Sequence, residues 1–312
     1  MSIYQSSDGV AAKREAVFDS HVHFWNPRHL DYPWLSDVPV LDREFSPSDF
    51  LDEVSEPVEA VFVEAGRTPE QAADEVRWVR GLALTRPWIR GAVAHVDLDN
   101  PLTAPEAVRR FAADPFTVGV RHNIQDEGAD FIAGADFRAG VRLLGEAGLP
   151  FDACVRQGQL EELAELAAAC PRTLIVLDHL GKPSLPEPGP SWRTALHRLA
   201  RQDNVVCKLS GLATEAAPRT GAGAFLAVLR EALQAFGPGR CLYGGDWPVM
   251  TQATSYGSWL DLVREALADL SAAEADAVMR TNAVRTYRLA QTQGPAPRSG
   301  EAVRPAGAVE SA

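Results

Sequence analysis

Two histidines two residues apart, His21 and His23 in VFDSHVHFW (residues 17–25), are the groups whose type and spacing most directly suggest chemistry. In a strand, side chains at i and i+2 share a face, so the two imidazoles project together, with Asp19 expected behind them on that face. Such a pair can chelate a divalent metal ion, or can polarise an oxygen anion with no metal. Alone it does not choose between these.

Its candidate partners lie far along the chain. Asp246 in YGGDWP offers a carboxylate that can take a proton from water or ligate a metal. Gly244 and Gly245 before it permit a sharp turn or the close approach of another group. His179 in LIVLDHLGKP follows a β-branched apolar run that reads as a buried parallel strand. Strand alternation puts His179 on the face of Ile175 and Leu177, so Asp178 is expected to point toward the helices. Lys208 in VVCKLSGL is a costly charge on a strand unless it faces a polar pocket or an anion, so it is expected to touch a substrate carbonyl or carboxylate. Arg121, His122, Glu64 and His95 join it as candidate substrate contacts, with Trp25, Tyr32, Trp34 and Trp247 as aromatic walls.

These residues need a scaffold that gathers them. Short apolar or β-branched runs at 17–24, 58–64, 89–98, 117–122, 150–155, 173–179, 204–210 and 240–246 alternate with amphipathic helical patterns. Helix starts stand where such units need them: Thr68-Pro69-Glu70-Gln71 opens one helix, and the capping box Ser271-Ala272-Ala273-Glu274 opens the last, 271–289. Eight repeats predict a single α/β domain, a (β/α)8 TIM barrel over residues 17–290. Residues 1–16 are expected to be a flexible N-terminal segment and 291–312, rich in Pro, Gly, Ala and Ser, a disordered tail. Catalytic groups of such barrels come from the C-terminal ends of the strands. His21, His23, His95, His122 and His179, five of the seven histidines in the chain, fall at those exits.

A net charge of -12 and a pI near 5.1 argue against nucleic acid or an anionic membrane as partner, leaving a small molecule. Self-association into a homo-oligomer is compatible with the sequence. Cys154, Cys170, Cys207 and Cys241 are too scattered for a zinc ribbon or a disulfide scaffold. With no secretory signal pattern and no uncharged apolar run of spanning length, a cytoplasmic protein is expected.

Taken together, these residues resemble the amidohydrolase superfamily, and within it the branch that holds 2-pyrone-4,6-dicarboxylate lactonase and sugar lactonases such as L-fuconolactonase and L-rhamnonolactonase. The matching stretches, in order, are DSHVHFWNPRHLDYPWL, GVRHNIQDE, FDACV, VLDHLGKP, CKLSGL, LYGGDWPV and NAVRTYRL. The resemblance implies a (β/α)8 barrel with an HxH on strand 1, histidines on strands 5 and 6, and a water-activating aspartate on strand 8. Carried over by position, His21 and His23 match the HxH, His179 the later-strand histidine and Asp246 the aspartate. FDACV departs from the pattern in having no histidine, so a binuclear metal centre is not expected. Lactonases of the branch use one zinc or none, and a single Zn2+ would be held by His21, His23, His179 and Asp246.

The expected activity is hydrolysis of a small lactone, either a sugar lactone or a carboxylated pyrone or muconolactone, by Asp246-activated water. A metal-dependent decarboxylase of an aromatic or muconate-type acid is the alternative within the superfamily. A non-catalytic, metabolite-binding barrel is the alternative outside enzymes.

Overall fold

The computed structural model of the chain describes residues 16–128 and 130–290, so the two expected flexible ends lie, Ala16 apart, outside the described residues. Eight strands follow in order: β1 Val17–Val22, β2 Val58–Val63, β3 Ile89–His95, β4 Thr117–Asn123, β5 Phe151–Cys154, β6 Ile175–Leu177, β7 Val205–Leu209 and β8 Cys241–Tyr243. Each pairs in parallel with the next. The seam between the first and last strands is closed by a parallel bridge from Val22 to Trp247, with Asp246 N donating to His21 O (2.8 Å) and His23 N to Trp247 O (2.7 Å). The result is a single (β/α)8 TIM barrel.

The helices are α1 Pro47–Glu53, α2 Ala72–Ala83, α3 Ala104–Ala112, α4 Ala135–Ala147, α5 Leu160–Ala169, α6 Pro190–Ala200, α7 Leu212–Glu215, α8 Ala222–Phe236, α9 Tyr256–Ala266, α10 Ala272–Asp276 and α11 Asn282–Thr286. Capping boxes at Ser46–Asp49 and Ser271–Glu274 satisfy the first amides of α1 and α10. Thr68 makes no such bond, and a short 3-10 turn, Pro69–Gln71, precedes α2 instead. The single helix expected at 271–289 is interrupted by a π-helical turn at Ala277–Thr281. Among the described residues, no helix is long and apolar enough to cross a membrane, and the four cysteines are free.

Two apolar layers hold the barrel. The larger lies between strands and helices, where Ile175, Leu177, Leu229 and Val263 pack. A second, with Phe18, Val61, Val63, Val93, Val176, Val206 and Leu242 against Tyr287, draws on alternate strand positions and fills the interior. Val176 therefore faces inward and Leu177 outward. This corrects the face expected for Asp178: like Val176 it points into the barrel.

β1 also departs from simple alternation. Its register against β2 shifts between Asp19 and Val22, a bulge that turns Asp19 away from the imidazoles. Asp19 accepts instead from Gly245 N (2.8 Å), His21 N (2.9 Å) and the Tyr256 hydroxyl (3.0 Å).

Candidate active site

β1 delivers the first two corners of the site. The Nε2 atoms of His21 and His23 lie 3.1 Å apart. Asp246, past the end of β8, sets one carboxylate oxygen before three imidazoles: Oδ1 is 3.4 Å from Nε2 of His23, 3.7 Å from that of His21 and 3.9 Å from that of His179. All four side chains are buried.

The backbone that carries two of these corners is unusual. His179, Leu180, Gly181 and Lys182 run consecutively at positive φ, and Asp246 has φ 60°. Left-handed conformations cost non-glycine residues energy and concentrate at functional sites. Here they have a visible result, since β6 ends at Leu177 and the left-handed turn swings His179 inward beside Asp178. Gly211 makes room for it: at φ +65°, a Cβ there would stand 2.3 Å from Nδ1 of His179. Gly244 and Gly245 serve close approach rather than a turn. Cβ atoms on them would lie 3.0 Å from the Cβ of His21 and 2.5 Å from Oδ2 of Asp19.

Each imidazole is oriented from behind. His23 Nδ1 lies 2.8 Å from Val63 O, which can only accept, so its Nε2 presents a lone pair to Asp246. His179 Nδ1 meets the Ser210 hydroxyl at 2.8 Å, a partner able to donate or accept. His21 Nδ1 meets the Lys208 ammonium at 3.1 Å and Asp178 Oδ1 at 3.4 Å. Burial pushes His179 down to about 4 against the opposing charges of Asp246 and Asp178, and lowers His21 as well, with Lys208 reinforcing the effect. Burial alone would raise Asp246, but its neighbours His179, His23 and His21 hold it well below the usual carboxylate range.

Lys208 does not reach the substrate space, contrary to the sequence expectation. It is wholly buried, donating to Asp152 Oδ2 (2.5 Å) and facing Asp178 Oδ1 (3.1 Å). Tyr287 donates to the same Asp152 oxygen (2.8 Å). Burial opposes charging of Lys208, yet Asp152 and Asp178 hold its pKa above the ordinary lysine value.

A pocket of about 490 Å³ opens over the imidazoles, and His23, His179, Asp246, Arg121, Trp25 and Trp34 line it. A larger hollow of about 710 Å³ shares only Thr214 and Gln252 with it and holds none of the four corner residues, so the smaller pocket is the candidate site. Six expected contacts do not line it. Lys208 is below it, and Glu64 lies behind Arg121, accepting from Arg121 Nε (2.6 Å) and Arg67 Nη1 (2.9 Å). His95 pairs with Asp97 (2.8 Å), and His122 accepts from Leu98 N and packs against Phe131 and Phe137. Trp247 is buried among Phe24, Phe45 and Phe50, and Tyr32 packs in the core. Conversely, Asn123, Cys154, Lys182 and Glu215 line the pocket and were not expected to. Lys182 alone carried a signal, standing three residues after His179 in DHLGKP.

The donor set fits a metal ion. A tetrahedral zinc with bonds of about 2.0–2.1 Å needs ligand atoms about 3.3 Å apart. The measured separations among Nε2 of His21, Nε2 of His23 and Oδ1 of Asp246 run from 3.1 to 3.7 Å, with His179 at the outer edge. The His23 lone pair facing the Asp246 carboxylate at 3.4 Å also asks for a proton or cation between them.

A parallel barrel that gathers three imidazoles and one carboxylate beyond its strand exits is an enzyme of amidohydrolase type. The chain belongs to the amidohydrolase family, whose profile matches residues 18–289. It is 38% identical over 287 residues to an L-fucono-1,5-lactonase of Burkholderia multivorans, covering 87% of this chain and 95% of that one. An L-fucono-1,5-lactonase of Burkholderia ambifaria is 30% identical, with 88% and 97% covered. Among solved structures, a zinc-bound amidohydrolase of Burkholderia multivorans superposes with a TM-score of 0.79 at 34% identity, covering 88% of this chain and all of that one.

Proposed function

We propose that the protein hydrolyses a small lactone, with Asp246 as the base that activates water. The observation that carries the reading is the single Asp246 oxygen set 3.4–3.9 Å from three imidazole nitrogens on the wall of a pocket. The lactonase relatives support the substrate class.

Asp246 Oδ1 takes a proton from water and the hydroxide adds to the ring carbonyl. The new oxyanion is met by Nε2 of His179, which carries its proton toward the pocket when Ser210 donates to Nδ1. When the ring carbon–oxygen bond breaks, Asp246 returns its proton to the departing alkoxide. The cycle leaves a hydroxy acid and an unchanged site. Trp25 and Trp34, from the loop between β1 and α1, wall the pocket. Trp34 is fixed there by its indole N–H to Ala65 O (2.8 Å). A zinc ion held by His21, His23, His179 and Asp246 would supply Lewis-acid polarisation of the carbonyl.

The test is turnover of a lactone panel, with metal analysis of the same preparation. Asp246→Asn is expected to lower kcat by roughly 10³-fold or more with an unchanged circular dichroism spectrum. Near-normal turnover by that variant would remove Asp246 from the chemistry.

A further inference from the structure

We propose that Glu215, at the end of α7, is the residue by which this pocket accepts neutral polyhydroxylated lactones and turns away carboxylated ones. The inference rests on the lactonase reading and sharpens its substrate.

The permanent cations on the pocket wall are already paired, and carboxylates outnumber them. Its two permanent cations are Arg121 and Lys182, and its carboxylates are Asp126, Glu215 and Asp246. Arg121 is taken up by Glu64, through Nε to the carboxylate and Nη2 to the backbone carbonyl (2.5 Å). Lys182 Nζ lies 3.0 Å from Glu215 Oε1. The other Glu215 oxygen faces Arg156 at 3.8 Å, and Arg156 donates to Asp126 at 2.9 Å. Lys208, the remaining cation nearby, is sealed beneath the floor by two aspartates.

A substrate carboxylate entering here finds both lining cations already paired with a carboxylate and must compete with it. Hydroxyl groups meet no such barrier. A hydroxyl both donates and accepts, so it can insert at the Lys182–Glu215 pair, taking a hydrogen bond from the ammonium and giving one to the carboxylate. Both side chains are within reach of the pocket, Lys182 at 14% and Glu215 at 22% exposure. Asn123, Gln125, Thr214 and Gln252 add neutral donors and acceptors to the wall.

The left-handed run that aims His179 inward also delivers Lys182. Glu215 arrives from the loop after β7, so the hydroxyl-reading pair spans two strand exits. Glu215→Gln keeps the shape, removes the charge and frees Lys182.

The experiment measures kcat and KM for wild type and Glu215→Gln on a six-carbon aldono-1,5-lactone and on a carboxylated lactone of similar size. Wild type is expected to turn over the first and discriminate strongly against the second. Losing a charge-assisted bond should raise KM for the aldonolactone about tenfold, with kcat nearly unchanged, while KM for the carboxylated lactone falls by about the same factor. Unchanged KM values in the variant, or a wild type that uses both substrates equally, would overturn the assignment. If wild type opens no lactone, the lactonase reading itself fails. Calorimetric binding of a neutral aldopyranose against benzene-1,3-dicarboxylate then still reads the charge preference. Preference for the sugar that Glu215→Gln abolishes supports the role of Glu215, and equal binding in wild type removes it.

Discussion

The Lys208 ammonium lies 3.1 Å from Nδ1 of His21, and the carboxylate of Asp178 approaches the same nitrogen at 3.4 Å. One neighbour can only donate and the other only accept. With Lys208 engaged, Nδ1 is the acceptor and the proton sits on Nε2, directed at His23. With Asp178 engaged, the proton moves to Nδ1 and Nε2 is left free to ligate. The surroundings of His21 thus accommodate both tautomers that a site able to work with or without a cation requires.

The same ammonium holds the barrel floor together. Lys208→Met would strand Asp152 and Asp178 without their shared cation in a fully buried layer. Breaking one side of a buried ion pair costs about 3–5 kcal/mol. We expect the variant to unfold at correspondingly lower urea concentration and Asp152→Asn to restore part of the loss. A stability equal to wild type would show that the floor carries no such charge.

Gly211 is placed to govern His179. Any side chain at this φ +65° position meets the imidazole 2.3 Å from Nδ1. Gly211→Ala should retain the fold but push the ring out of line, and a displacement on the order of 1 Å can cost about 100-fold in rate. Steady-state kinetics on the soluble variant checks this, and unaltered kcat would mean that the ring has room elsewhere.

Behind Arg121, two glutamates compete for Arg67, and only one succeeds. Burial would raise Glu64, but Arg121 and then Arg67 overcome it and hold it well below the usual range. Glu75, facing Arg67 Nε at 3.9 Å and accepting from Ala65 N, is pushed up to about 8 by burial, with Arg67 opposing and Glu64 reinforcing. The folded state therefore keeps a proton on Glu75 that an unfolded chain releases near 4.5, and this contribution to stability falls as pH rises between those values. Glu75→Gln carries no such proton. Its stability relative to wild type should climb from pH 5 to pH 8 and then level, by about 4 kcal/mol in all, as read from urea midpoints across pH. A difference independent of pH would place an ionised Glu75 in the native fold.

Much of this was legible in the chain. The alternation of apolar runs and helical patterns, repeated eight times, announces a barrel, and barrels put their working groups at strand exits. HxH, DHLGKP and GGDWP then name the four residues that the fold brings together. Asp19 and Asp178 are misplaced from sequence because strict alternation fails at a bulge and at a strand end. The bulge in β1 sends Asp19 outward, and the left-handed turn that starts at His179 lets His179 face inward beside Asp178, and no residue type announces either event. Lys208 reads the same from sequence whether it faces a ligand or a ring of carboxylates, because only burial separates the two. Glu215 ends α7, a single helical turn too short to show a periodicity that would set its direction.

The seam of the barrel has a consequence for how the enzyme comes into being. The bonds that join its two ends, Asp246 N to His21 O and His23 N to Trp247 O, involve three of the four residues at the corners of the candidate site. They link positions more than two hundred residues apart in the chain. Such long-range pairings are slow to form, because loop closure must precede any reward. A nascent chain or a trapped intermediate with seven strands in place has neither a closed wall nor a carboxylate beside its imidazoles. Catalytic competence therefore arrives in one step with the docking of the last strand, and recovery of activity on refolding is a direct clock for that event.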